Sequence, residues 1–192
     1  MKIDPKLSLI LASKSPRRSY LLEQAGIPFT VRTADTEEIY PQETPVMEVA
    51  PYLAELKASG AAHLLLAENE VILTADSVVI QEGTIYGKPK DSADAQATLR
   101  KLSGAKHTVV TGCCLMSKTK KEVFASVTEV YLNEMSDAEI DWYIENGQPF
   151  DKAGSYGIQE WVGLAKVNRI EGTYPNVMGL PVDLVYSRLL AW

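Results

Sequence analysis

Apolar and polar positions along the chain fall into blocks whose period alternates between strand and helix. Leu7-Ser-Leu-Ile-Leu-Ala12 is a short apolar run between small polar residues and predicts a buried strand. In Ser13-Lys-Ser-Pro-Arg-Arg18, Ser15 suits an N-cap and Pro16 the first helical position. The helix then carries Tyr20, Leu21, Leu22 and Ala25 and ends at Gly26, and Ile27 to Arg32 predicts a return strand. The stripe Val49/Ala50, Leu53, Leu56, Ala61 and Leu64/Leu65 predicts a helix over Met47 to Leu66, regular from near Ala50 because of Pro51. Val71 to Ala75 predicts a second buried strand ending on Asp76. Ser77 to Gln81 and Thr84 to Tyr86 predict a hairpin around Glu82-Gly83. Asp91 caps a helix ending near Leu102, with Gly104 beyond it. His107 to Met116 and Val123 to Leu132 predict paired strands joined by the basic turn Lys118 to Lys121. Ser136-Asp-Ala-Glu139 is a capping box whose helix Gly147 stops; Leu164 to Ile170 predicts one more strand, and Pro181 opens a terminal helix. Thr36 to Pro45, rich in acids and proline, predicts an ordered loop. Strands joined by hairpins and strands separated by helices together imply an α/β fold with a mixed sheet and helices on its faces.

The length of 192 residues fits a single domain, or one domain of two lobes. Apolar and charged shares of 46% and 23% are those of a globular chain that buries a core without disulfides or metals. A net charge of −6 argues against a non-specific grip on nucleic acid or an anionic membrane, and no apolar run reaches the roughly 18 residues of a membrane span. The start, Met1 to Lys6, lacks the apolar centre of a secretory leader. Cys113 and Cys114 are neighbours in a predicted strand, where they face opposite ways and are poorly placed to bridge, so a reduced, cytoplasmic protein is expected. His63 and His107 are far apart, and no Cys/His cluster points to zinc.

Candidate chemistry gathers at the ends of these elements. Arg17 and Arg18 sit in the first turn of a helix, where each cation costs about 0.3–1 kcal/mol, and a bound polyphosphate would offset that cost. Taken alone, the string fits better as two solvated surface arginines after a capped turn. The string is not a P-loop, because the Gly-rich lead and the Gly-Lys-Ser/Thr ending are both missing. Asp76, expected at the rim of the sheet, suits a divalent cation or water activation; an Asp that only caps a turn fits its position as well. Lys57 on the apolar stripe and Lys88 in Gly87-Lys-Pro-Lys90 either hold phosphate or snorkel from an apolar surface. Asp151-Lys-Ala-Gly-Ser-Tyr-Gly-Ile-Gln159 combines glycines that allow close backbone approach with an amide, Gln159, able to read a base edge; an ordinary Gly-rich turn is its plain alternative. Asn176 to Pro181 reads as a packing turn. Two arginines, two lysines, carboxylates and a glutamine together suit a nucleoside triphosphate with a metal ion.

The order of these motifs resembles the Maf family of nucleoside triphosphate pyrophosphatases. The resemblance is carried by Ser13-x-Ser-Pro-Arg-Arg18, Leu53-Ala-x-x-Lys57-Ala, Ala75-Asp-Ser-Val-Val79, Gly87-Lys-Pro-x-Asp91, Leu102-Ser-Gly, His107-x-Val-x-Thr-Gly112, Asp151-Lys-Ala-Gly-x-Tyr-Gly-Ile-Gln159 and Asn176-Val-x-Gly-Leu-Pro181. It spans Leu9 to Pro181, nearly the whole chain. It implies two lobes around a central cleft, like the inosine triphosphate pyrophosphatases, in one domain over 1–192. It implies hydrolysis between the α- and β-phosphates, a divalent metal (Mg²⁺ or Mn²⁺) and a homodimer. By position, Asp76 matches the family's proton acceptor, and Ser13, Arg17, Arg18, Lys57 and Lys88 match its substrate contacts. Glu38, with Glu37 as its rival, aligns with an acid near the metal that Asp76 would share. The doubled arginine and Tyr156-Gly-Ile-Gln159 resemble the branch acting on dTTP and UTP rather than the one acting on 7-methyl-GTP. Gln159, Ser77 and Arg17 are then expected to read the pyrimidine. Two departures stand out: Ser77 replaces the usual Thr, and Trp161 stands where the branch often has small residues. The alternative is a non-catalytic nucleotide-binding regulator of septation.

Overall fold

The computed structural model describes residues 3–192. Met1 and Lys2, part of the stretch read for a leader, lie outside the described residues. The chain runs β1 (Ser8–Leu11), α1 (Pro16–Gln24), β2 (Thr30–Val31), α2 (Val49–Gly60), β3 (Glu70–Gln81), β4 (Thr84–Tyr86), α3 (Ser92–Leu102), β5 (Lys106–Met116), β6 (Lys121–Leu132), α4 (Asp137–Gly147), α5 (Trp161–Ala165), β7 (Val167–Glu171), α6 (Tyr174–Met178) and α7 (Val182–Leu190). The strands form a mixed sheet in the order β2-β1-β3-β5-β6-β7, with β4 on β3 off this path. β1 runs parallel to β2 and β3, while β4 is antiparallel to β3 and β7 to β6. The chain forms two compact units: Met1–Asp76, Thr111–Ser126 and Gly179–Trp192 make the first, Ser77–Val110 and Val127–Met178 the second.

In the first unit β1 pairs with β3 from Ser8 opposite Glu70 to Leu11 opposite Leu73. Leu9, Ile10, Leu11, Val71, Ile72 and Leu73 are almost wholly buried. Each such side chain stabilises the fold by about 1.5–3 kcal/mol. α1 begins at Ser15 and Pro16 as the sequence indicates, but the Ser15 side chain makes no capping bond. Instead the Ser13 hydroxyl accepts the Ser15 N–H at 3.2 Å. At the other end Gly26 takes the left-handed conformation (φ 65°) that closes the helix, with Ile27 N–H donating to the Leu22 carbonyl. α2 is shorter than its apolar stripe, because Ala62–Leu64 tightens into a 3₁₀ turn. Pro51 falls in its first turn, where a backbone N–H has no helical acceptor, and so costs little. Two contacts fix α2 on the sheet. The Thr74 hydroxyl donates to the Ala54 carbonyl at 2.6 Å, and Gly112 of β5 lies so close that a Cβ there would stand 2.2 Å from Pro51 N.

The second unit packs α3, α4 and α5 around Val79, Val109, Val130 and Leu132. Asp91 caps α3 by accepting the Asp94 N–H at 2.9 Å, and Ser136 with Glu139 forms the expected capping box on α4. Three local readings change. Gly147 is the last helical residue, and Gln148 takes the left-handed turn after it (φ 46°). The stretch from Leu164 divides into the end of α5 and then β7. Residues 174–178, which overlap the predicted turn from Asn176, form the short helix α6, in which the Asn176 amide donates to the Thr128 hydroxyl at 2.8 Å and to the Val109 carbonyl at 3.3 Å.

Candidate active site

β3 is one strand of twelve residues, so Asp76 stands in its middle rather than at its end. Pairing with β1 stops at Leu73 and pairing with β4 begins at Val79. Asp76 therefore lies in the stretch between these two pairings. Every residue from Glu70 to Ile80 except Ser77 is buried, which is why the polar pair Asp76-Ser77 does not break the strand.

Around Asp76 the first unit assembles a charged cluster. α2 brings in Lys57, whose ammonium donates to the Asp76 carboxylate and, at 2.8 Å, to Glu38 Oε1 from the acidic loop. Of the two candidate acids, Glu38 is the one that reaches Lys57. α1 brings in Arg18, whose Nε donates to the Gly179 carbonyl at 2.9 Å and whose guanidinium donates to the Ser13 hydroxyl at 3.1 Å. Arg18 senses the charges of Asp76, Arg17 and Glu38, and its burial holds its pKa below the ordinary guanidinium value. Burial raises the Asp76 pKa above the ordinary carboxylate value; Lys57 and Arg18 oppose the rise and Glu38 adds to it. An acid so placed is a stronger base than a solvated one. The structure thus brings together Ser13, Arg17, Arg18, Glu38, Lys57 and Asp76 within one unit.

The two carboxylates converge on a single cation, Lys57, and among the described residues no third His, Cys, Asp or Glu joins them. Two hard oxygen donors, with substrate phosphates supplying the rest, fit Mg²⁺ or Mn²⁺, which commonly take one or two protein carboxylates.

Ser77, Lys88 and Gln159 belong to the second unit. Lys88 is exposed in the bend after β4. That bend is tied to the Gly-rich segment by the Gly154 N–H, which donates to the Gly87 carbonyl at 3.1 Å. Gly154 is left-handed (φ 72°), and a Cβ there would stand 2.7 Å from Val79 Cγ2, so this close approach needs glycine. Gln159 donates through Nε2 to Glu160 Oε1 at 3.3 Å, while its buried Oε1 has no partner among the described residues. Glu160 also takes the Tyr143 hydroxyl and, at 3.0 Å, the Lys152 ammonium. Nearby, His107 Nε2 and Tyr156 OH are hydrogen-bonded at 2.7 Å, and burial lowers the His107 pKa to about 4, so the ring is neutral.

Two parts of this arrangement escape sequence reasoning. Asn176 to Pro181 reads as packing, yet its Gly179 carbonyl anchors Arg18. The Gly-rich motif ends at Gln159 when read alone, whereas the polar network continues into Glu160 and back to Tyr143 on α4. Its one sequence signal was Lys152, a lysine inside a motif, and it is buried.

A family model described as "Maf-like protein" matches residues 8–192. A protein of Flavobacterium psychrophilum named dTTP/UTP pyrophosphatase is 46% identical over 182 residues, 95% of this chain and 93% of the relative. One of Phocaeicola vulgatus with the same name is 47% identical over 185 residues, 96% and 95% of the two chains. Among solved structures, the Staphylococcus aureus Ham1 protein aligns at a TM-score of 0.47 and 18% identity, over 65% of this chain and 71% of that one.

Proposed function

The chain belongs to the Maf family, and from that premise we propose that it hydrolyses nucleoside triphosphates, dTTP and UTP foremost, to the monophosphate and pyrophosphate. The observation that carries the reading is Lys57 shared between Asp76 and Glu38, with Arg18 close enough to sense the charge of both. The near full-length relatives named for this activity support the substrate.

Hydrolysis adds water across the bond between the α-phosphorus and its bridging oxygen. Arg17, Arg18 and the Ser13 hydroxyl hold the anionic tail; the guanidinium fork matches phosphate oxygens. Gly179 and Ser13 keep Arg18 from swinging into solvent, so its orientation is set before substrate binds. Asp76, made more basic by burial, takes the proton of the attacking water, and the electron pair of the breaking P–O bond leaves on pyrophosphate. Lys57 keeps Asp76 ionised and supplies positive charge as negative charge builds on the leaving group. Glu38, with Asp76 in the alternative role of ligand rather than base, would hold the divalent cation, whose chemistry is to neutralise phosphate charge. Lys88 is assigned to the phosphates, and Ser77, Arg17 and Gln159 to the pyrimidine.

The reading extends to a cytoplasmic setting, supported by two free, buried cysteines whose thiol pKa values burial pushes up to about 12. Among the described residues no helix is long and apolar enough to cross a membrane. A homodimer is proposed on the family resemblance. The test is pyrophosphate release from UTP and dTTP with Mg²⁺ or Mn²⁺. Turnover by wild type and its loss in Asp76→Asn are expected. Tight nucleotide binding without turnover under either metal would point to the non-catalytic regulator instead.

A further inference from the structure

Gln159 carries a built-in asymmetry. A carboxylate has no proton to give, so a side-chain amide bonded to Glu160 must present its NH₂ group. The Nε2–Glu160 Oε1 bond at 3.3 Å therefore fixes which end of the amide faces away, and that end, the buried Oε1, has no partner among the described residues. Glu160 is itself held from two sides. Lys152, buried, donates to Oε1 at 3.0 Å and to Asp151 Oδ1 at 2.7 Å. Tyr143 donates its hydroxyl to Oε2 and accepts the Gly157 N–H at 3.0 Å. The fit is close. A Cβ on Gly157 would stand 2.7 Å from Gln159 Nε2 and 2.8 Å from the Glu160 carboxyl carbon. The Gly-rich segment and α4 thus spend a lysine, a glycine and a tyrosine on the orientation of one carboxylate.

We propose that Glu160 is a specificity-positioning residue: it commits the NH₂ of Gln159, so that Gln159 offers a carbonyl acceptor to the base. This rests on the reading that Gln159 meets the base. An acceptor fits the N3–H donor of uracil or thymine. Cytosine has a bare acceptor at the same ring position, and two facing acceptors leave both unpaired in a dry site. Unpaired groups of this kind give large discrimination factors, because a buried polar group pays the full cost of desolvation.

The experiment compares kcat/KM for UTP and CTP in wild type, Glu160→Gln and Gln159→Ala. Each ratio is taken within one preparation, so loss of folded enzyme cancels. Wild type is expected to favour UTP strongly. In Glu160→Gln the neighbour can donate or accept, the Gln159 amide is free to flip, and the ratio is expected to fall about tenfold or more, with CTP turnover rising in absolute terms. A merely structural lesion does not raise turnover of a rejected substrate. A ratio that Gln159→Ala collapses but Glu160→Gln leaves unchanged overturns the positioning role alone; a fall caused only by lost UTP turnover does so too. A ratio indifferent to Gln159→Ala overturns the underlying reading of Gln159, and this role with it. If Glu160→Gln does not fold, Tyr143→Phe, which removes one of the two holders, is expected to shift the ratio the same way by about threefold, and no shift overturns the role.

Discussion

Strand β3 carries two buried carboxylates that are pushed in opposite directions. At its start Glu70 accepts from the Arg32 guanidinium at 2.7 Å and from the backbone N–H groups of Leu66 and Ala67 at 2.6 and 3.2 Å. Those bonds, Arg32 first, hold its pKa at about 2. In the middle of the strand, burial raises the pKa of Asp76, and the Lys57 ammonium that faces it is shared with Glu38. Strand, burial and chemical type are alike; the number of donors differs. A carboxylate met by three donors holds the fold, whereas one that is undersupplied keeps its affinity for a proton or a cation.

The sharpest way to break this comparison is Asp76→Asn, expected to cut kcat by about 10²–10⁴-fold while the melting temperature holds or rises, since a buried charge is removed. A variant that melts early and turns over normally would reverse the two roles. Next comes Lys57→Met, expected to lower kcat/KM by about 10²–10³-fold, the loss typical of one preorganised charge donor, as measured by pyrophosphate release. Glu70→Gln is expected to leave kcat/KM within about twofold but to cost about 1–3 kcal/mol in urea unfolding. The contribution of Glu70 also has a defined pH window. Its folded pKa lies below the ordinary 4.5, so the unfolded chain takes up the proton first as pH falls. The stabilisation is whole above about pH 4.5 and is lost progressively toward about pH 2; unfolding midpoints of wild type and Glu70→Gln should converge over that range. The smallest effect is expected from Glu139→Gln. Glu139 has an equally low pKa of about 2, set by Lys166 and Ser136, but its side chain is 37% exposed against 7% for Glu70. Solvent screens such a pair, so its loss should lower the melting temperature less than Glu70→Gln does.

Much of this was legible in the sequence, for local reasons. The run at Leu9 to Leu11, the Asp91 cap and the Ser136 box each depend on neighbouring residues alone, and each forms where expected. The motif order also identified the residues that the first unit gathers around Asp76. What sequence could not supply is set by distant partners. Leu164 and Ala165 read as strand although they end α5, because the apolar pattern does not show Gly163 pressed on the Ile158 backbone, where a Cβ would stand 1.7 Å from the carbonyl oxygen. β3 reads as ending at Asp76 because its continuation depends on burial by other elements. Nothing beside Glu160 in the sequence marks it, because Tyr143 and Lys152 reach it only through the fold.

Gly112 has a role that no inventory of charged groups would reveal. It lets the backbone of α2 rest directly on β5, and α2 carries Lys57 to Asp76. A single added methyl would stand within 2.4 Å of three backbone atoms, the Ala50 carbonyl carbon and Pro51 N and Cα, and would have to lift the helix as a lever with the lysine at its far end. The tolerance of the reacting groups is therefore machined into a spot that contains nothing but hydrogen, and a defect there would read as chemical failure in an enzyme with every functional group intact.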